Sequence, residues 1–407
     1  MRILHVSWEY PPLVYGGLGR HVHGLAEAQA AAGHDVTVVT QLPEGAATDE
    51  VVNGVRVVRA AYEPLRLTES ELLPWVRGLD RALARTAERA GVEPDVVHAH
   101  DWVVGDAGRL LRDRLGAPLV ATLHATEAGR HQGWLPSDLS HAIHRLEHRL
   151  TVDAARVVVC SDAMRHDVET LFGVPDEVVD VVPAGLDVAA WRAGARAVRE
   201  ARAAYAADGP LLVTASRLEW EKGVHTLLDA MPRLRRRFPG LRLVVAGRGG
   251  QREALEAQAR RLRLGASVRF VGWLPEPSLA ALLGAADAVV LPSVYEPFGL
   301  VALEAAAQRS PLVVAATGGL AETAQDAVTG RTFAPLDAAS LADVTTEVLR
   351  DPAAAQRRVR AMSRRLRAVH DWSAVAARTV EVYQRAAHEP PRPRRRLVVR
   401  EGNQLGR

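Results

Sequence analysis

Two carboxylates eight residues apart, Glu296 and Glu304, stand in the segment AVVLPSVYEPFGLVALEAAAQRSP, which runs from Ala288 to Pro311. An apolar run ends at Leu291-Pro292 and a turn carries Glu296. Pro297-Phe298-Gly299 then leads into a helical pattern that begins Leu300-Val301 and contains Glu304. A helix start offers free backbone N–H groups and a positive dipole end, both suited to a phosphate. If the interval were wholly helical, eight residues would span roughly 12 Å, about the reach from a sugar across a diphosphate to a ribose. One carboxylate can then hold sugar hydroxyls and the other ribose hydroxyls. Two isolated glutamates would ordinarily be solvated surface; placed as E-P-F-G-L-x-x-L-E after a buried-strand pattern, they point to a ligand.

A second cluster lies in ASRLEWEKGVHTLLDAM, residues 215–231, where Arg217 and Lys222 stand five apart and Gly223 opens a helix. Fixed cations beside a helix start can neutralise the charge that develops on a departing nucleoside diphosphate. Taken alone, such a pair is ordinary surface. HAHDWVVGDAG (98–108) and TLHATEAGRHQGWLP (122–136) each follow an apolar run and place His100, Asp101, Trp102 and His124 at its end. A lone strand-end histidine is more often structural than catalytic. His98-x-His100 has a conceivable metal spacing, but no third ligand is evident, and a zinc site is not expected. His141, His144 and His148 share a helical face that reads as packed or solvated. The turn AGRGGQREAL (246–255) and the run VRFVGWL (268–274) could bring backbone close to a nucleotide and line its base.

Gly16, Gly17 and Gly19 follow the first apolar run, ILHVSW, and precede an Ala/Leu-rich helical segment. A nicotinamide cofactor is a poor fit. The third fingerprint glycine is missing, the segment from Glu9 to Tyr15 is long for a Rossmann turn, and the next strand ends without an acidic residue. Gly-Lys-Ser/Thr, which a Walker loop needs, is absent too.

Taken together these stretches resemble the retaining glycosyltransferases of family 4, which have the two-domain GT-B fold, and the related bacterial glycogen and starch synthases. Glu296 and Glu304 match the family's E-x7-E motif, Arg217, Lys222 and Gly223 its R-x4-K-G pattern, and T-L-H-A-T-E its strand-end histidine loop. The run HATEAGRHQGWL is similar to that of actinobacterial enzymes that elongate α-1,4-glucans, and the resemblance extends over nearly all of residues 1 to 385. It implies transfer of glucose from ADP- or UDP-glucose to an α-1,4-glucan or related oligosaccharide, with retained configuration, no metal and no cofactor. His124, Arg217, Lys222 and Glu296 are the implied catalytic residues, His124 donating a hydrogen bond to the transferred glucose. Gly16, Gly17, Arg217, Lys222, Gly299, Leu300, Val301 and Glu304 would bind the donor, and Asp101 would lie on the acceptor side. One position departs from the pattern. Glycogen synthases carry K-x-G-G-L, and Val14 stands where that lysine would be. GDP-mannose with a lipid acceptor, glucose 1-phosphate as acceptor, sugar-nucleotide epimerisation and non-catalytic glucan binding are the competing readings. The chain has no Asp-x-Asp pair of the kind a metal-dependent GT-A transferase needs.

The elements that must position these residues are legible as continuous apolar runs alternating with amphipathic segments, an α/β pattern of strands covered on both faces. Twelve such runs occur, seven before residue 185 and five after it. Two Rossmann-like doubly wound domains facing a cleft are expected, at 1–185 and 186–370. A helix at 371–388 is expected to cross back to the first domain, and a basic disordered tail to fill 389–407. Open α/β sheets bind ligands beyond the carboxyl ends of their strands, where these motifs lie. The length of 407 residues suits two cores. A formal net charge of +3 gives no argument for nucleic acid. The single cysteine, Cys160, fits a reducing compartment, and no transmembrane or leader pattern is found, so cytoplasm is the expected location.

Overall fold

The computed structural model describes residues 1–63, 69–206 and 208–388. Two parallel sheets organise them. The first contains β1 (Arg2–Val6), β2 (Asp35–Gln41), β3 (Asp49–Val52), β4 (Val55–Ala60), β5 (Val96–His100), β6 (Leu119–Leu123), β7 (Arg156–Val159) and β8 (Val179–Val181), in the spatial order β3-β4-β2-β1-β5-β6-β7-β8. The second contains β9 (Leu211–Ala215), β10 (Arg242–Ala246), β11 (Val268–Gly272), β12 (Ala288–Leu291), β13 (Leu312–Ala315) and β14 (Arg331–Phe333), in the order β11-β10-β9-β12-β13-β14. Every pairing is parallel except that of β3 with β4. Every residue of β5, β6, β9 and β12 is buried and most are Val, Leu or Ala, because helices cover both faces of each sheet.

Strand order reverses at two places, beside β1 and β5 in the first sheet and beside β9 and β12 in the second. These switch points open a crevice beyond the strand ends. The glycine loop follows β1, Asp101 follows β5, Arg217 and Lys222 follow β9, and Glu296 follows β12. Each of the four strands at the two switch points thus delivers an expected site residue to the same edge of its sheet.

Two strands escape the sequence pattern. β3 is an antiparallel edge strand with no buried residue, and β14 has three residues. The run expected at 177–183 is strand only over Val179–Val181, because a 3-10 turn takes Asp176–Val178. In the connection between sheets, Trp191 is buried in the second core and the helix Ala195–Tyr205 packs on the helix Glu276–Ala285.

The chain then returns. Leu186 N–H donates to His370 O at 2.8 Å and His370 Nδ1 lies 3.0 Å from Ala184 O, so the outgoing and returning segments are tied side by side. The helix Trp372–His388 packs on the helix Gly17–Ala31 and against β6 and β7, burying Val375, Ala376 and Tyr383 in a first-sheet core. Trp372 explains two glycines: a Cβ at Gly24 or Gly185 would lie 2.3 or 2.4 Å from its ring. The basic tail expected at 389–407 lies outside the described residues. Among the described residues no helix is long and apolar enough to cross a membrane.

Candidate active site

The loop after β12 and the turn after β9 are built against each other. Val294 and Tyr295 donate their N–H groups to Glu221 O at 2.8 and 3.2 Å. Gly223 sits at φ 65°, and a Cβ there would come 1.9 Å from Pro292 O. Only glycine permits both the left-handed backbone and that approach. The result is an ion pair between Lys222 Nζ and Glu296 Oε2 at 2.9 Å, both side chains largely buried. Arg217 turns elsewhere: its Nη2 donates to Glu221 Oε1 at 2.9 Å from a half-exposed position. The cationic pair expected from spacing is therefore one cation against Glu296 and one at the rim.

Gly299, at φ 90°, caps the helix Leu300–Ala307 without a side-chain hydrogen bond. Ala302 N–H reaches Gly299 O, which leaves Leu300 and Val301 in the first turn without intrahelical acceptors. The start of this helix meets the first domain: a Cβ on Gly17 would lie 2.8 Å from Leu300 Cδ1, whereas one on Gly16 would meet nothing within 4 Å. The glycine loop is held from beneath by Glu9, whose Oε2 accepts from the N–H groups of Tyr15 at 2.8 Å and Gly16 at 3.0 Å. Burial pushes the Glu9 carboxyl up, and those N–H groups pull it back down.

Glu304 is only 1% exposed. Its Oε1 accepts from Arg20 Nη1 of the first domain at 2.5 Å, and its Oε2 has no partner among the described residues. Burial pushes its pKa up and Arg20 opposes the shift. A buried carboxylate oxygen with no protein donor has an unmet hydrogen bond that a hydroxyl could supply. The solvated-surface alternative does not hold for Glu304.

Across the cleft, His124 directly follows β6. Its N–H donates to Asp101 Oδ1 at 2.7 Å, so Asp101 fixes the histidine loop through the backbone. Asp101 has φ 65°, strained for a residue with a Cβ, and burial raises its pKa to about 7. The His124 ring packs edge-on against His21 with centroids 5.0 Å apart, and burial lowers its pKa to about 4. Further contacts close the two halves together: Tyr295 Oη accepts from Thr126 N–H at 3.1 Å, Ser161 Oγ donates to Pro297 O at 2.7 Å, and Glu322 accepts from the N–H groups of Asp162 and Ala163.

The glycines of 246–255 permit close packing, since a Cβ on Gly247 would lie 1.8 Å from Ser216 O and one on Gly249 2.4 Å from Leu218 O. They seat the segment that carries Arg217. The His98-x-His100 pair does have a third imidazole beside it. His5 on β1 stands in register with His98 on β5, and ring nitrogens of His5, His98 and His100 lie within 4.8 Å of one another. Those nitrogens already bond to one another and to Gln29, Tyr383, Thr122 and His124.

Comparison with known proteins agrees with this geometry. A family model described as glycosyl transferases group 1 matches residues 198–365, and one described as glycosyltransferase family 4 matches residues 15–190. A glycogen synthase of Mycobacterium tuberculosis (strain CDC 1551 / Oshkosh) is 45% identical over 414 residues, covering 98% of each chain. This chain belongs to the family-4 glycosyltransferases. A D-inositol 3-phosphate glycosyltransferase of Kribbella flavida is 34% identical over 83% of each chain. Among solved structures, sucrose-phosphate synthase from Thermosynechococcus elongatus superposes with a TM-score of 0.80 at 26% identity, covering 94% of this chain and 98% of its own. The two facing sheets of this glycosyltransferase are the GT-B fold. Arg20, His5 and Gln29 are site-edge residues that motif spacing missed. The only sequence signal for Arg20 was its place on the helix that the glycines open.

Proposed function

We propose that this glycosyltransferase moves glucose from ADP- or UDP-glucose onto an α-1,4-glucan or related oligosaccharide, with retention and without a metal. The observation that carries the reading is the Lys222–Glu296 pair at 2.9 Å, set beside the uncapped start of the helix that holds Glu304. Full-length similarity to a glycogen synthase supports the glucan acceptor.

In this reading the diphosphate lies on the N–H groups of Leu300 and Val301, with Lys222 as the cation and Arg217 closing from the rim. Gly16 and Gly17 cover it from the first domain, and Glu304 Oε2 accepts from the ribose. Glu296 and His124 hold the glucosyl unit. The acceptor hydroxyl attacks C1 from the face the diphosphate leaves. The C1–O bond to phosphate breaks, the new C1–O bond forms, and the hydroxyl proton passes to the departing phosphate oxygen. The chain therefore needs no base of its own, and Lys222 does what a metal would otherwise do for the leaving group.

A donor panel of ADP-, UDP- and GDP-sugars against maltooligosaccharide, with EDTA present, tests this. The expected result is an elongated product bearing a new α-1,4 linkage. An inverted product, dependence on added metal, or transfer only to inositol phosphate or glucose 1-phosphate would overturn the corresponding part. Similarity to a D-inositol 3-phosphate glycosyltransferase makes the phosphorylated acceptor the second reading.

A further inference from the structure

Buried beneath the cleft is a continuous chain of imidazoles. His5 Nε2 lies 2.7 Å from Gln29 Oε1, His5 Nδ1 lies 3.0 Å from His100 Nε2, and His100 Nδ1 lies 3.3 Å from His124 Nε2. A second arm leaves the same amide. Gln29 Nε2 donates to Tyr383 Oη at 3.2 Å, Tyr383 Oη lies 2.7 Å from His98 Nδ1, and His98 Nε2 lies 2.7 Å from Thr122 Oγ1. Burial holds all four rings far below the ordinary histidine pKa, so each is neutral near pH 7.

A neutral imidazole has one N–H and one bare nitrogen, and each bond in the chain needs one of each. Fixing one bond therefore fixes the rest. Gln29 Oε1 can only accept, so His5 carries its proton on Nε2 and presents a bare Nδ1. His100 Nε2 must then donate to it, which leaves His100 Nδ1 bare, and His124 Nε2 must donate in turn. The second arm follows from the same amide: Tyr383 receives from Gln29 Nε2 and gives its own proton to His98 Nδ1. His98 Nε2–H then reaches Thr122. Turning the Gln29 amide over would reverse every bond in both arms.

We propose that Gln29, acting through His5 and His100, holds His124 as the Nε2–H tautomer and so makes its Nδ1 an acceptor for a hydroxyl of the transferred sugar. Gln29, His5 and His100 are positioning residues. The role of His124 toward sugar rests on the function proposed above, but its tautomer does not. The direction is opposite to the hydrogen bond that the family resemblance suggests for this residue. Among the described residues His124 Nδ1 has no protein partner, and the ring is only partly buried, so this nitrogen is the open end of the chain.

Nitrogen-15 NMR of the full chain, labelled at the histidine rings and without ligand, reads the tautomer directly. Protonated Nε2 and bare Nδ1 at His5, His100 and His124 are expected; a proton on Nδ1 of His124 overturns the proposal. In kinetics, Gln29→Met should lower kcat about tenfold while leaving donor KM within about twofold, and Gln29→Glu should restore most of it. Unchanged kcat in a folded Gln29→Met protein would overturn the positioning role even with the tautomer as expected. Absence of glucosyl transfer in the wild-type donor panel would sink the function proposed above and leave the NMR result standing.

Discussion

At the scale of single residues, the proposed mechanism rests most on Lys222 for the leaving diphosphate. Its ammonium is largely buried against Glu296, and the other expected cation, Arg217, is occupied by Glu221 at the rim. Lys222→Ala should lower turnover by about 10²–10³, the usual loss for one charge stabiliser, and Arg217→Ala by less. Steady-state kinetics with matched thermal unfolding curves would check both, and near-normal turnover in Lys222→Ala would remove it from the site. Lys222 and Glu296 were legible in the sequence because each sits in a short motif directly after an apolar run. Arg20 was not, because its partner Glu304 lies 284 positions away. His5 and Gln29 escaped for the same reason: only the register of β1 against β5 and the packing of the helix Gly17–Ala31 bring them to His100.

At the scale of elements, the site is aimed by two loops whose backbones touch, and glycine permits the contact. Gly223→Ala places a methyl 1.9 Å from Pro292 O on a left-handed backbone, so one of the two loops must move. A stability loss of about 1–3 kcal/mol is expected, together with a larger fall in kcat than in stability, since Lys222 and Glu296 ride on the displaced segments. Gly194→Ala is the control, with nothing within 4 Å of its added Cβ and an ordinary φ of −67°. Equal effects in urea denaturation and in kinetics would argue against loop contact as the positioning device. The same physics decided which elements could be read in advance. Strands buried on both faces print continuous apolar runs, as β5 and β9 do. β3 is an exposed edge and β14 has only three residues, too few for any period to register.

At the scale of the whole molecule, the returning helix completes the first core. Deleting everything after residue 370 would empty the positions of Trp372, Val375 and Tyr383 and strip Tyr383 from Gln29 and His98. Loss of cooperative unfolding, seen by calorimetry, is the expected result. A stable and active truncation would contradict the packing described.

Stability against pH follows from the buried ionisable groups that share this core. His5 and His124 are lowered to about 4, and His21, His98 and His100 lie well below their ordinary value. The unfolded chain takes those protons near pH 6.5, so the histidines' contribution is present above that value and lost as pH falls toward 4. Buried carboxylates act in the opposite direction. Asp80 is raised to about 8 and Asp101 to about 7, so the folded chain keeps protons that the unfolded chain has already released. Their contribution is present at low pH and lost as pH rises through 7 and 8. Below pH 6.5 the two sets oppose each other, and the limb should be shallow. Above it the histidines are neutral in both states and the carboxylates act alone, so the urea midpoint should fall from about pH 6.5 to pH 8.5. Asp80 accepts from Ala107 N–H at 2.8 Å, a bond an amide oxygen can replace. Asp80→Asn should therefore fold normally and flatten that upper limb, and an unchanged slope would assign the loss to other groups.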